Sequence, residues 1–122
     1  MKALTIAICL AAALSTNPSV AEIGGPFNSP MIRAGRNVAV TTCVACHVVS
    51  PEQDVSPVMG GPAPSFEAIA NRPGVADAAL ISFMESCAQM TTFTERCGSV
   101  NGISEAERSQ VAAYIMSLRV RP

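Results

Sequence analysis

The run Cys43-Val44-Ala45-Cys46-His47 constrains this chain more than any other stretch. Two cysteines three apart, with a histidine directly after the second, bring two thiols and one imidazole to a single turn of backbone. That order lets both thiols add to the vinyl groups of one haem, after which the histidine falls under the iron. Two other chemistries use similar residues. Structural zinc asks for four Cys or His ligands in two spaced pairs, but the only histidine already lies inside the run, and Cys87 and Cys97 lack pair spacing. A thioredoxin-like dithiol sits in a βαβ setting with strand-like runs before the first cysteine, and none precedes Cys43. The expectation is one haem c, bound covalently through Cys43 and Cys46, with His47 as an iron ligand.

The amino-terminal segment reads as a targeting signal. Lys2 is followed by an apolar run from Ala3 to Leu14, then a polar stretch, and Ser19-Val20-Ala21 offers small residues at the two positions a signal peptidase reads. A signal peptide over 1–21, cleaved before Glu22, is predicted. Its apolar run is too short to span a bilayer, so no membrane insertion is expected after cleavage. Cys9 lies inside the leader, preceded by Ile8 rather than a small residue and too early for a lipoprotein signal; it is read as discarded. The remaining 22–122 form one domain of 101 residues, marginal for a self-sufficient hydrophobic core. A covalently held haem would fill that deficit. Export across the cytoplasmic membrane to the periplasm fits this cysteine usage, since haem attachment and disulfides both belong to that compartment. Cys87 and Cys97 are then free to pair with each other.

Once Lys2 is removed, nine acidic residues stand against seven basic ones. A net charge of minus two points to neither a nucleic acid nor an anionic membrane as partner. All seven basic residues are arginine, so no ring of lysines can serve as a docking surface.

Hydrophobic spacing predicts three main helices joined by long loops. In the first, over 30–46, Ala34, Val38 and Thr41 or Thr42 recur at helical intervals, and Pro30 suits a first turn. Gly35 inside it costs about 1 kcal/mol relative to alanine, so something should approach that face closely. Residues 48–64 carry Pro51, Pro57, Gly60, Gly61, Pro62 and Pro64, a density that forbids regular structure. Phe66 to Ala70 reads as a short apolar turn, broken at Arg72-Pro73 because a residue before proline avoids helical geometry. The second helix, over 75–87, sets Ala76, Leu80, Phe83, Met84 and Cys87 on one face as a core stripe. The third starts at Ser104, with Glu107 completing a capping box and Val111, Ile115 and Leu118 forming the apolar stripe, and runs to about Arg119. Arginines at its end suit the negative pole of the helix dipole.

Taken together, the leader, the Gly35 helix, Cys43 to His47, the Pro64 loop, the break at Asn71-Arg72-Pro73 and the Tyr114 helix resemble a small class I (monohaem) c-type cytochrome of the bacterial periplasmic kind. The resemblance covers 30–119. It implies an all-α fold wrapped around the haem, with Tyr114, the aromatic residue of the last helix, resting against Gly35. It also implies that a proline carbonyl orients the ligand histidine: Pro64-Ser65-Phe66 matches the family's Pro-x-Leu-like motif best and Pro62 comes second, against a reading of either as turn punctuation. The family's second iron ligand is a methionine on a loop between the last two helices. Met90, 43 positions past His47, fits. Thr91 and Thr92 follow it where the family often has proline. A bridge between Cys87 and Cys97 would replace that constraint by closing a loop around Met90, worth roughly 2 to 4 kcal/mol by chain entropy; the other reading is two unpaired thiols. Met59 is the best rival ligand, but its loop belongs on the histidine side, while Met31, Met84 and Met116 read as packing. Arg72 is a candidate partner for a haem propionate through two parallel hydrogen bonds, against a reading as an ordinary surface arginine.

The resemblance implies a soluble periplasmic electron carrier rather than an enzyme, probed by redox partner proteins such as a dehydrogenase, oxidase or cytochrome complex, and monomeric. Histidine with methionine leaves the iron no open position for oxygen or peroxide. Two alternatives stand beside it. One is a five-coordinate haem protein that binds a small gas or acts weakly on peroxide; the lack of a second histidine argues against peroxidase chemistry by the usual acid-base route, while Gln89, Thr91 and Thr92 could still stabilise a bound ligand by hydrogen bonds. The other is a dedicated haem subunit of a dehydrogenase or oxidase complex.

Overall fold

The computed structural model describes residues 28–59, 61, 63–90, 97 and 100–121. The expected signal peptide and its cleavage point, together with Pro62, Thr91 and Thr92, lie outside the described residues.

Helix α1 runs Pro30–Val38, with proline in its first turn, where a missing N–H costs no internal bond. The expected single helix to residue 46 does not form. After Val38 the chain widens into a π-helical turn, Ala39–Cys43, in which the Val44 N–H reaches back five residues to the Ala39 carbonyl over 3.1 Å. The side chain of Thr41 accounts for part of this change. Its hydroxyl donates to the carbonyls of Asn37 and Val38, each at 3.0 Å, a back-bonding pattern that bends helices. π-Turns are rare and recur at functional sites; this one delivers the chain directly into the Cys43 to His47 run.

After the loop, α2 spans Phe66–Ala70, capped by the Ser65 hydroxyl, which accepts from the Ala68 N–H. Helix α3 spans Asp77–Ala88, beginning two residues later than its spacing suggests because Ala76 is extended backbone. A 3₁₀ turn, Val100–Gly102, leads to α4, Glu105–Ser117. Ser104 and Glu107 form the expected capping box in full, each side chain satisfying the other's main-chain N–H. Among the described residues there is no strand, and no helix is long and apolar enough to cross a membrane.

The core gathers Ala39, Val49, Phe66, Ala70, Met84, Ile103, Val111, Ala112, Tyr114 and Ile115. Helices α1 and α4 cross at Gly35. A Cβ at that position would lie 1.9 Å from the Gln110 carbonyl oxygen and 3.0 Å from the Tyr114 Cβ, so the main chain of α4 fills the space a side chain would need. The expected approach of Tyr114 to Gly35 is present, but the nearer group is the Gln110 backbone. Three other expectations are corrected. Phe83 and Ala76 are exposed, leaving Met84 and Cys87 as the buried positions of α3. Met31 is exposed rather than core filler. The arginine after α4 does not end the helix electrostatically. Arg119 instead reaches across the molecule, its Nε–H donating to the Ala70 carbonyl at 2.8 Å and an Nη2–H to that of Val75, while the Val120 N–H donates to the Asn71 side chain at 2.9 Å. These bonds tie the chain end to the turn between α2 and α3.

Candidate functional site: a haem-attachment turn and its support

The Cys43 to His47 run leaves the π-turn as one tight turn, with the N–H groups of Cys46 and His47 both donating to the Cys43 carbonyl at 3.2 and 3.0 Å. Cys43 and Cys46 are free, partly buried thiols on that turn. Burial pushes the Cys43 thiol up to about 11, and the neighbouring Cys46 adds to the shift. Before any attachment, Cys43 is therefore protonated at neutral pH and is a poor nucleophile toward disulfides, since the thiolate is the reactive form.

His47 is held by the loop that follows it. The loop returns to the attachment turn at two points, the Met59 N–H donating to the Ala45 carbonyl at 2.9 Å and the Phe66 N–H to the Val48 carbonyl at 2.9 Å. Between them, Pro64 places its carbonyl oxygen 2.7 Å from His47 Nδ1. A carbonyl only accepts, so Nδ1 carries a proton, and in the neutral ring the lone pair is then on Nε2. The ring is oriented as metal-bound histidines require, with its other nitrogen free for a metal. Sequence reasoning did not find the aromatic contact on the same ring: Phe66 lies 5.4 Å from His47 between centroids, tilted by 50°, with Tyr114 behind it at 6.3 Å. The adjacency of Phe66 to Pro64 was the available signal.

Cys87, buried near the end of α3, and Cys97 stand at disulfide distance, with Cα atoms 5.1 Å apart. Met90 Sδ lies 3.3 Å from Cys97 Sγ. With both cysteine sulfurs bridged, this is a sulfur–sulfur contact rather than a hydrogen bond. Met90 is 40% exposed, whereas Met59 is tethered to the attachment turn, as expected for a loop on the histidine side. Arg72 is an exposed residue of the turn after α2, its N–H donating to the Ile69 carbonyl at 3.2 Å.

Among the described residues, no group of three or more His, Cys, Asp or Glu side chains could hold a metal ion. The residues present do fit a group that brings its own equatorial donors. A porphyrin supplies four nitrogens, so one imidazole with a free Nε2 and two thiols on the same turn are what such a group asks of the protein. An all-α chain with this turn has the fold and the side chains that a covalently attached haem asks for. The family model for cytochrome c matches residues 32–119, and the chain belongs to that family, whose members bind haem covalently and transfer electrons. No curated protein and no solved structure matches the chain.

Proposed function

We propose that this chain is a soluble, monomeric, periplasmic carrier of one electron, with a single haem c anchored by Cys43 and Cys46 and ligated by His47 and Met90. The observation that carries the reading is the 2.7 Å bond from His47 Nδ1 to the Pro64 carbonyl: it fixes the tautomer and aims the lone pair of Nε2, a preparation that a histidine in a plain turn does not need. Haem, when bound, supplies the one-electron ferric–ferrous couple. The chain's residues do the rest. Cys43 and Cys46 would anchor the haem, and His47 and Met90 would ligate its iron, the soft thioether of Met90 favouring the ferrous state. The Cys87–Cys97 bridge closes the segment that carries Met90. The same bridge supports the assignment to an oxidising compartment, in agreement with the leader read over 1–21. Arg72, exposed at its turn, would be the partner of a haem propionate, and redox partner proteins would exchange the electron.

The test is to express the full chain with a cytochrome maturation system and weigh the product. The reading requires cleavage before Glu22, the mass of one added haem, no alkylatable thiol at Cys43 or Cys46, and a single one-electron wave in voltammetry. A product that accepts no haem, or that loses haem to acid extraction, contradicts it.

A further inference from the structure

One hydrogen bond does not fix a ring. The Pro64 carbonyl restrains His47 at Nδ1 alone, and a second contact bears on the plane of its ring. Phe66 is 3% exposed, its own N–H is held by the Val48 carbonyl at 2.9 Å, and it stands at the start of α2 behind the Ser65 cap. Its ring meets that of His47 at 5.4 Å and 50°, a tilted arrangement that aromatic pairs prefer over face-to-face stacking. Phe66 is backed in turn by Tyr114 at 6.3 Å and 60°. Tyr114 is fixed at its far end, its buried hydroxyl donating to the Val49 carbonyl at 2.8 Å.

We propose that Phe66 is a positioning residue that sets the plane of the His47 ring, with Tyr114 as its support. The tripeptide Pro64-Ser65-Phe66 would then act on the histidine twice, through a carbonyl that chooses the tautomer and an aromatic ring that chooses the rotation. An aliphatic side chain would fill the same space without the directional preference of two π-systems. The inference rests on the reading of His47 as an iron ligand.

The experiment is NMR on the matured, haem-loaded protein. In the diamagnetic ferrous form, the ring protons of His47 and Phe66 should show a mutual nuclear Overhauser effect. In the cyanide adduct of the ferric form, the added anion is cylindrically symmetric, so the order of the shifted haem methyl signals reports the histidine plane alone. Phe66→Leu should change that order while the low-spin absorption spectrum persists. An unchanged order in Phe66→Leu overturns the proposal, as does absence of the ring-to-ring effect in the wild type, and the latter decides alone if the variant does not mature. His47→Ala separates the two levels of the argument. Retention of the wild-type low-spin spectrum by His47→Ala would remove the ligand assignment itself, whatever Phe66 does.

Discussion

His47 Nδ1 donates to the main-chain carbonyl of Pro64 across 2.7 Å and seventeen residues of sequence. The bond joins the attachment turn to the far end of the proline- and glycine-rich loop, so the histidine's orientation depends on where that loop ends. The loop has few ways to end elsewhere. Its return is fixed by the Phe66 N–H on Val48 and by the Ser65 cap of α2.

Replacing Pro64 tests that dependence without removing the acceptor. Pro64→Ala keeps the carbonyl but frees the backbone that aims it, and loss of proline's restraint on the unfolded chain alone costs about 0.4–1 kcal/mol. The unfolding free energy from denaturant titration should fall by that amount. The His47 Nδ1–H should also exchange with solvent faster, which hydrogen exchange followed by NMR would show.

Gly35→Ala should be far more costly than its size suggests. Its Cβ would meet the Gln110 carbonyl oxygen at 1.9 Å, and backbone on backbone cannot yield as a flexible side chain would. Helices α1 and α4 must separate or shift, at a cost of roughly 1–3 kcal/mol or more. Chemical denaturation of the matured protein measures it, and a variant as stable as wild type would contradict the crossing described above.

Tyr114→Phe removes the hydroxyl that donates to the buried Val49 carbonyl, for an expected loss of about 1 kcal/mol. A pH signature goes with it. Burial raises the Tyr114 phenol above its ordinary 10.0, with the nearby Arg36 partly opposing the shift. A group whose folded value is raised contributes stability that is present below the unfolded value and is lost as pH rises through the folded one. Wild type should therefore lose stability above about pH 10, and Tyr114→Phe should lose less of it, as thermal melts across pH 8 to 11 would record.

Much of this architecture was legible in the sequence because local chemistry and tertiary structure agree. The capping box at Ser104 and Glu107 needs only four residues to specify it. Gly35 signalled a close approach because a glycine inside a helix otherwise has no advantage. The Pro64 carbonyl followed from the family resemblance and appears in the geometry. What was not legible depends on partners distant in sequence. Phe83 lies at helical spacing with buried residues, yet it is 47% exposed, and periodicity cannot say how wide a neighbour's footprint is. Arg119 looked like a charge at a helix end, but its guanidinium is used by carbonyls of Ala70 and Val75 more than forty residues away. The π-turn before Cys43 changes the phase of the helix by one residue, which no count of apolar spacings over 30–46 could reveal.

The bridge between Cys87 and Cys97 makes a separate prediction about Met90. Reduction, or the double change Cys87→Ala and Cys97→Ala, should lower stability by about 2–4 kcal/mol. It should also release the segment that carries Met90, so that the matured protein binds carbon monoxide more readily than the oxidised wild type. Equal carbon monoxide binding with and without the bridge would show that the bridge does not position Met90.

The most direct test of the account is the absorption spectrum of the matured protein, ferric and ferrous, with and without carbon monoxide, for wild type and Met90→Ala. A histidine–methionine carrier predicts a methionine-to-ferric charge-transfer band that vanishes in Met90→Ala, and a wild-type ferrous spectrum indifferent to carbon monoxide. Rapid carbon monoxide binding by wild type, unchanged by Met90→Ala, would contradict the carrier and establish an open coordination position in its place.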